Sequence, residues 1–313
     1  MDSLDTQIET ILNGQPLPQD ISVICDYNPW HQFSRSELKP TLRKNVYYIA
    51  AAIVFNENMD VLMVRESKPK YRGKWSLPSG RAEPNEQIID TIRREVLEES
   101  GLEIAPTALV MMETSSKYVF NFVFTGRVIG GQLKTVADSD SESIEAKWCS
   151  QTDICSMNLR YEDTLDVISV VRNYNRSVAA IPYHISRFTA IGAHNRMLLR
   201  VVFTVKREQN HYILISKPPS PHLPEIFINE YPADSLLGVL SVEHNGVPKH
   251  SHDGLCITVL AKSRVPYEGV GRICGDYEWM QMSPPLEALL TRCLDNPMTE
   301  LIQWRSKHWN TRR

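Results

Sequence analysis

No stretch of this 313-residue chain is apolar for long enough to cross a bilayer. The longest uncharged apolar run, Val46 to Phe55, falls far short of the ~18 residues a spanning helix needs, so no membrane partner is expected. Cysteine is sparse: Cys25, Cys149, Cys155, Cys256, Cys274 and Cys293 form no CxxC pair. A disulfide framework is therefore not expected, and reduced thiols are. A basic leader is lacking too, because Asp2, Asp5 and Glu9 put negative charge where a secretory n-region is basic; the expected location is cytoplasmic. Charge of one sign is not in excess. With 34 Lys+Arg against 37 Asp+Glu and a net charge of -3, there is no electrostatic case for a nucleic-acid polymer as partner. Only 14 glycines and no long periodic run exclude collagen and coiled coil. What remains is a soluble, globular composition, 42% hydrophobic and 23% charged, of a length that suits about two domains.

Residues 1–43 read as an appendage. Leu4, Ile8, Ile11 and Leu12 share one helical face that ends at Gly14, and Pro16, Pro18, Pro29 and Pro40 then interrupt regular structure. Residues 44–176 read as the first domain. Tyr47 to Phe55 is a buried strand, Asn56-Glu57-Asn58 a turn and Val61 to Val64 the return strand. Leu109 to Val128 is strand-rich, Gly130-Gly131 a turn, Ile144 to Trp148 another strand, and Tyr161 to Tyr174 a helix. Residues 177–313 form the third stretch.

The most informative segment is a helix expected over 84–100, with Pro84 in its first turn and Gly101 just past its end. Ile88, Ile89, Ile92 and Val96 make an apolar stripe. On the other face Glu95, Glu98 and Glu99 stand at i, i+3 and i+4, within an arc of about 100°. Like charges so placed repel, and from Glu86 to Glu99 five acids outnumber two arginines. Such a face calls for a cation. Carboxylate oxygens without His or Cys nearby suit a hard ion, Mg²⁺ or Mn²⁺, which usually shares its shell with water and substrate phosphate. Phosphate chemistry follows.

Gly80, Glu86, Arg94, Glu95, Val96, Glu98, Glu99, Gly101 and Leu102 match the Nudix box, G-x5-E-x7-R-E-U-x-E-E-x-G-U, at every position. Seven fixed letters at roughly one in fifteen each arise by chance about once in 10⁸ start positions. The chain thus resembles the Nudix hydrolases, and Arg72 to Gly80 resembles the strand and loop that lead into the box. The resemblance implies an α/β/α sandwich around a mixed sheet. It implies metal binding by Glu95, Glu98, Glu99 and the Gly80 carbonyl, with Glu86 pairing Arg94 to orient Glu95. It also implies hydrolysis of a small nucleoside diphosphate derivative by water attack on phosphorus. A further metal-binding acid is expected outside the box among Asp138, Asp140, Glu142 and Glu145, with Glu142 favoured.

Tyr47, Tyr48, Tyr118, Phe120 and Trp148 are the aromatics available to stack a base; Tyr47, Tyr118, Phe120 and Trp148 are the substrate-binding candidates. Family marks of NADH and ADP-ribose hydrolases are absent, while Tyr118, 16 residues after Leu102, lies near a tyrosine of diadenosine polyphosphate hydrolases. Leu42 to Val46, Gly130 to Thr135 and a second half of similar length resemble the animal branch that removes phosphate from 8-oxo-dGDP. The reading is a hydrolase of oxidised guanine nucleoside diphosphates that gives the monophosphate and orthophosphate. A diadenosine polyphosphate hydrolase and a non-catalytic nucleotide-binding protein are the alternatives.

The second half repeats the first. Val201 to Val205 and His211 to Pro218 echo Ile53 to Phe55 and Val61 to Glu66. Gly254 to Leu260 echoes Val119 to Phe124, and Glu278-Trp279 stands in the place of Lys147-Trp148. From Leu77 to Val110 there are 33 steps but from Ile226 to Val239 only 13, a deficit of about one helix with its loops. A second Nudix-like domain without the box helix is expected. His244, His250, His252 and Asp253 read as a polar loop rather than a zinc site, and Arg305, Lys307, Arg312 and Arg313 as solvated charge.

Overall fold

The computed structural model describes residues 4–17, 39–116, 118–181, 187–192, 194–219, 221–227, 236–262 and 277–306. Two compact units emerge, one from residues up to 41 together with 189–306, the other from 42–188.

In the 42–188 unit, β1 (Tyr47–Val54), β4 (Ser79–Arg81), β5 (Leu102–Ser116) and β6 (Val119–Gly131) make one sheet. β1 runs parallel to β6 and antiparallel to β4, and β5 pairs antiparallel with β6. A smaller antiparallel sheet holds β2 (Val61–Glu66), β3 (Trp75–Ser76) and β7 (Ser143–Cys149). Along β1 the side chains alternate between faces. Tyr48, Ala50 and Ala52 are fully buried, while Tyr47, Ile49 and Ala51 are only half-buried. Helix α2 (Ile88–Ser100) packs on β5, β1, β7 and β4. The other face carries Ile53, Ala108, Val110 and Val123 against Val167, Ile168 and Val171 of α4 (Thr164–Ala179), with α3 (Gln151–Ser156) alongside. Helix, sheet, helix is the layering of a Nudix α/β/α sandwich.

Helix α2 begins at Ile88, four residues later than Pro84 suggests. Asn85 adopts φ 65°, and the Glu86 side chain accepts the Glu83 N–H at 2.8 Å, a local bond that competes with helix propagation. The C-terminal end is as expected: Gly101 sits at φ 76° and its N–H returns to the Leu97 carbonyl. The strand-rich stretch resolves into β5 and β6, and the helix expected over Tyr161 to Tyr174 runs instead over Thr164–Ala179.

The other unit contains α1 (Leu4–Leu12), β8 (Thr189–Ala190), β9 (Met197–Arg207), β10 (Asn210–Ser216), β11 (Glu225–Phe227), β12 (Leu236–Glu243), β13 (Leu255–Lys262), β14 (Tyr277–Gln281), α5 (Pro284–Asp295), α6 (Pro297–Glu300) and β15 (Gln303–Ser306). The helix expected in the 1–43 appendage is thus part of a core here. Ile8, Ile11 and Leu12 pack among Val202, Ile215, Leu240, Leu286 and Leu290. Asp5 accepts from Ser283 Oγ at 3.0 Å, and Asn13 from Arg292 at 3.0 Å.

The strand pairing of this unit repeats that of the first. β9 is parallel to β13 and antiparallel to β11, β12 is antiparallel to β13, and β10 to β14. The registers agree residue by residue. In β5–β6 an irregularity between Leu109 and Met111 is followed by the pairs Met111↔Val123, Met112↔Phe122 and Glu113↔Asn121. In β12–β13 one between Val239 and Ser241 is followed by Ser241↔Thr258, Val242↔Ile257 and Glu243↔Cys256. Trp148 pairs with Leu62 and Trp279 with Leu214. Between β11, ending at Phe227, and β12, starting at Leu236, only residues 228–235 intervene, too few for a helix of 13 residues like α2.

Candidate active site

Arg94 organises the site. Its Nε and Nη2 donate to Glu86 Oε1 and Oε2 at 2.8 and 2.9 Å, a bidentate grip. Nη1 donates to Glu95 Oε1 at 2.7 Å and Glu98 Oε2 at 3.0 Å, and Nη2 also reaches the Arg81 carbonyl at 3.2 Å. Glu86 in turn accepts from Thr91 Oγ1 at 2.9 Å. The acid from the loop thereby fixes the arginine, and the arginine fixes two of the three helix carboxylates. Burial would raise the Glu86 carboxyl, but Arg94, the Glu83 N–H and Thr91 more than offset it and hold it low.

Glu95 and Glu99 are buried, at 6% and 3% exposure, whereas the Glu98 side chain is 43% exposed. Glu99 Oε2 accepts the Ser79 N–H at 2.9 Å. Gly80 pairs with Ala50 on β1 and faces α2 so closely that a Cβ there would lie 1.9 Å from Glu95 Cδ. Only glycine leaves that carboxylate room. Burial pushes the Glu99 carboxyl up to about 8, with neighbouring Glu95 adding to the effect. Burial also raises Glu95, against the pull of Arg94. Two buried carboxylates next to a third form an oxygen-only donor set. Its uncompensated negative charge fits a hard divalent cation. Glu95, Glu98, Glu99 and the Gly80 carbonyl could hold one.

The remaining candidates have partners of their own. Glu142 lies just before β7, with Oε2 3.5 Å from Lys68 Nζ. Asp138 and Asp140 bond within their own turn and to Lys134, and Glu145 pairs with Arg65 and Lys147. Tyr47 and Tyr118 come together, the Tyr47 N–H donating to the Tyr118 carbonyl at 2.9 Å, and the Arg81 guanidinium sits 5.1 Å from the Tyr47 ring centroid. Trp148 is half-buried in the smaller sheet. Phe120 is a correction: it is 1% exposed and packs 6.1 Å from the Tyr48 ring, inside the core. Strand alternation turned it inward, so it offers no surface to a base.

Sequence reasoning passed over Lys68, whose charge lowers both Glu95 and Glu99. The alternating basic residues Lys68, Lys70, Arg72 and Lys74 were the available signal. It also passed over buried Glu66, which is paired with Arg160 and Ser76 Oγ.

An acidic helix clamped by one arginine, on a mixed sheet between helices, defines a Nudix hydrolase, and the chain belongs to that family. The NUDIX domain matches residues 47–170. The chain is 31% identical over 288 residues to the 8-oxo-dGDP phosphatase NUDT18 of Danio rerio, covering 85% of each. It is 30% identical over 312 residues to the Mus musculus protein of that name, covering 90% of this chain and 93% of the relative. Among solved structures, a NUDIX hydrolase from Nitrosomonas europaea aligns with 22% identity and a TM-score of 0.38 over 44% of this chain and 75% of its own. No described helix is long and apolar enough to cross a membrane.

Proposed function

We propose that this chain hydrolyses oxidised guanine nucleoside diphosphates such as 8-oxo-dGDP to the monophosphate and orthophosphate, with Mg²⁺ as its ion, in the cytoplasm. The observation that carries the reaction class is the Arg94-clamped carboxylate cluster. The substrate rests on the two relatives named as 8-oxo-dGDP phosphatases and on the length shared with them.

A bound divalent ion would screen the diphosphate charge and polarise the phosphorus under attack. The protein supplies the rest. Glu86 and Arg94 hold Glu95 in place, and Glu95, raised by its burial, is a better proton acceptor than an ordinary carboxylate. Water adds to phosphorus, its proton passes to Glu95, and the bridging P–O bond breaks towards the monophosphate. Lys68, whose charge already acts on Glu95 and Glu99, would help to offset the phosphate charge. The base is assigned to the half-buried sheet face of Tyr47, Ile49 and Ala51, where Asn121 pairs with Ile49 and offers an amide to a base edge.

The test is Mg²⁺-dependent phosphate release from 8-oxo-dGDP, with dGDP, 8-oxo-dGTP and a diadenosine polyphosphate alongside, for wild type and Glu98→Gln. Orthophosphate from 8-oxo-dGDP, lost in the variant, is expected. Turnover of the dinucleotide alone would keep the site chemistry and overturn the substrate.

A further inference from the structure

The second unit keeps the sheet of the first, and its counterpart of the face proposed above for the base is filled by a polar cluster. By register, Arg200 stands where the first unit has Ala51, Glu225 where it has Ser79, Glu243 where it has Glu113 and Cys256 where it has Asn121. Arg200, Glu225, Glu243 and Cys256 are all buried. Arg200 Nε donates to Glu225 Oε1 at 2.9 Å, and its Nη1 to Glu243 Oε1 at 2.7 Å and Thr258 Oγ1 at 3.2 Å. The other oxygen of Glu243, Oε2, is 3.0 Å from His194 Nε2. A ring nitrogen of His194, a carboxylate oxygen of Glu243 and Sγ of Cys256 all lie within 4.8 Å of one another.

We propose that His194, Glu243 and Cys256 form a zinc site in the second unit, separate from the box and different from it in donor chemistry. Imidazole, thiolate and carboxylate from three separate segments are a borderline-soft set that suits zinc and rejects Mg²⁺. The surroundings support ligation. Arg200 holds Glu243 through Oε1 and leaves Oε2 to point at His194, the arrangement in which a second partner orients a ligating carboxylate. The charge balance agrees. Arg200 neutralises one of the two buried carboxylates and leaves one negative charge over. A divalent ion that displaces the thiol proton of Cys256 to solvent adds one net positive charge, and the buried cluster becomes neutral. Binding therefore releases one proton and completes the interior of the unit, coupling the ion to folding.

Co²⁺ reports this site in the full chain, because only a thiolate ligand gives a near-ultraviolet sulfur-to-cobalt charge-transfer band. One Co²⁺ per chain with that band is expected in wild type and also in Glu98→Gln, whose oxygen-only box cannot produce it. Zn²⁺ should abolish the band and Mg²⁺ should not. Cys256→Ser should lose the band altogether, and His194→Ala should require at least tenfold more Co²⁺ to reach it. Wild type without the band would overturn the proposal and leave a purely protein ion network. A band that survives in Cys256→Ser would overturn it equally. If Cys256→Ser fails to fold, His194→Ala, altered outside the strands, and the wild-type spectrum decide the matter.

Discussion

Gly80→Ala probes the site through a single methyl group. The backbone at Gly80 does not adopt the positive φ seen at Gly73 or Gly101, so alanine is compatible with β4 and the fold should persist. The methyl carbon, however, would stand 1.9 Å from Glu95 Cδ and 2.0 Å from both of its oxygens. Ordinary contact needs about 3.5 Å, so the carboxylate must retreat by roughly 1.5 Å. That tears it from Arg94 Nη1 and from its place beside Glu99. A displacement of ~1 Å at a reacting centre can cost about 10²-fold, so kcat/KM for phosphate release should fall by about 10² to 10³. Thermal melting should move by only a few degrees. A Mn²⁺ titration reads the same displacement without any substrate and should show binding weakened at least tenfold. Turnover within threefold of wild type, in a chain that melts normally, would refute the claim that Glu95 must lie against Gly80.

Arg94→Lys keeps the charge but loses the fork that grips Glu86 through both oxygens, and a point charge cannot hold Glu86, Glu95 and Glu98 together. A fall of about 10- to 100-fold in kcat, with a smaller change in melting temperature, is expected in steady-state assays. The metal-free chain should lose stability as pH rises from about 5 to 8. In that window native Glu99, with its carboxyl at about 8, retains a proton that the unfolded chain has released. From 4.5 to 8 the loss is at most about 5 kcal/mol, measurable by urea unfolding, and saturating Mg²⁺ should reverse it by favouring the carboxylate. Ile8→Ala removes a fully buried side chain from the second unit's core and should cost about 2–5 kcal/mol. Calorimetry should show a lowered transition while phosphate release at low temperature is retained.

The box was legible because its chemistry is written at fixed spacing on one helix. Glu95, Glu98 and Glu99 share a face wherever α2 begins, so misplacing that start at Pro84 did no harm to the reading. The start itself was illegible because it depends on a side chain, Glu86, bonding back to the Glu83 N–H. Phe120 was misread for a different reason. In a two-faced strand the inward set is fixed by pairing register, and one position decides between a base platform and a core residue. The repeated strand pairing was visible in apolar pattern alone. His194, Glu243 and Cys256 were not, because they meet only when β12 and β13 pair, and attention fell on the local run His250 to Asp253. Glu142 stands 3.5 Å from Lys68, a contact no linear pattern displays.

The docking of α1 has a consequence for the order in which the chain becomes structured. Asp5 and Ser283 are bonded across 278 positions, so during synthesis α1 waits until α5 has emerged. During that interval Ile8, Ile11 and Leu12 have no native surface to cover them, and at less than three turns the helix cannot hold itself together in water. Residues 42–188 have been synthesised long before α5 and can begin to fold in the meantime. Synthesis thus delivers the residues of the Nudix box well before the second unit can close its core around α1.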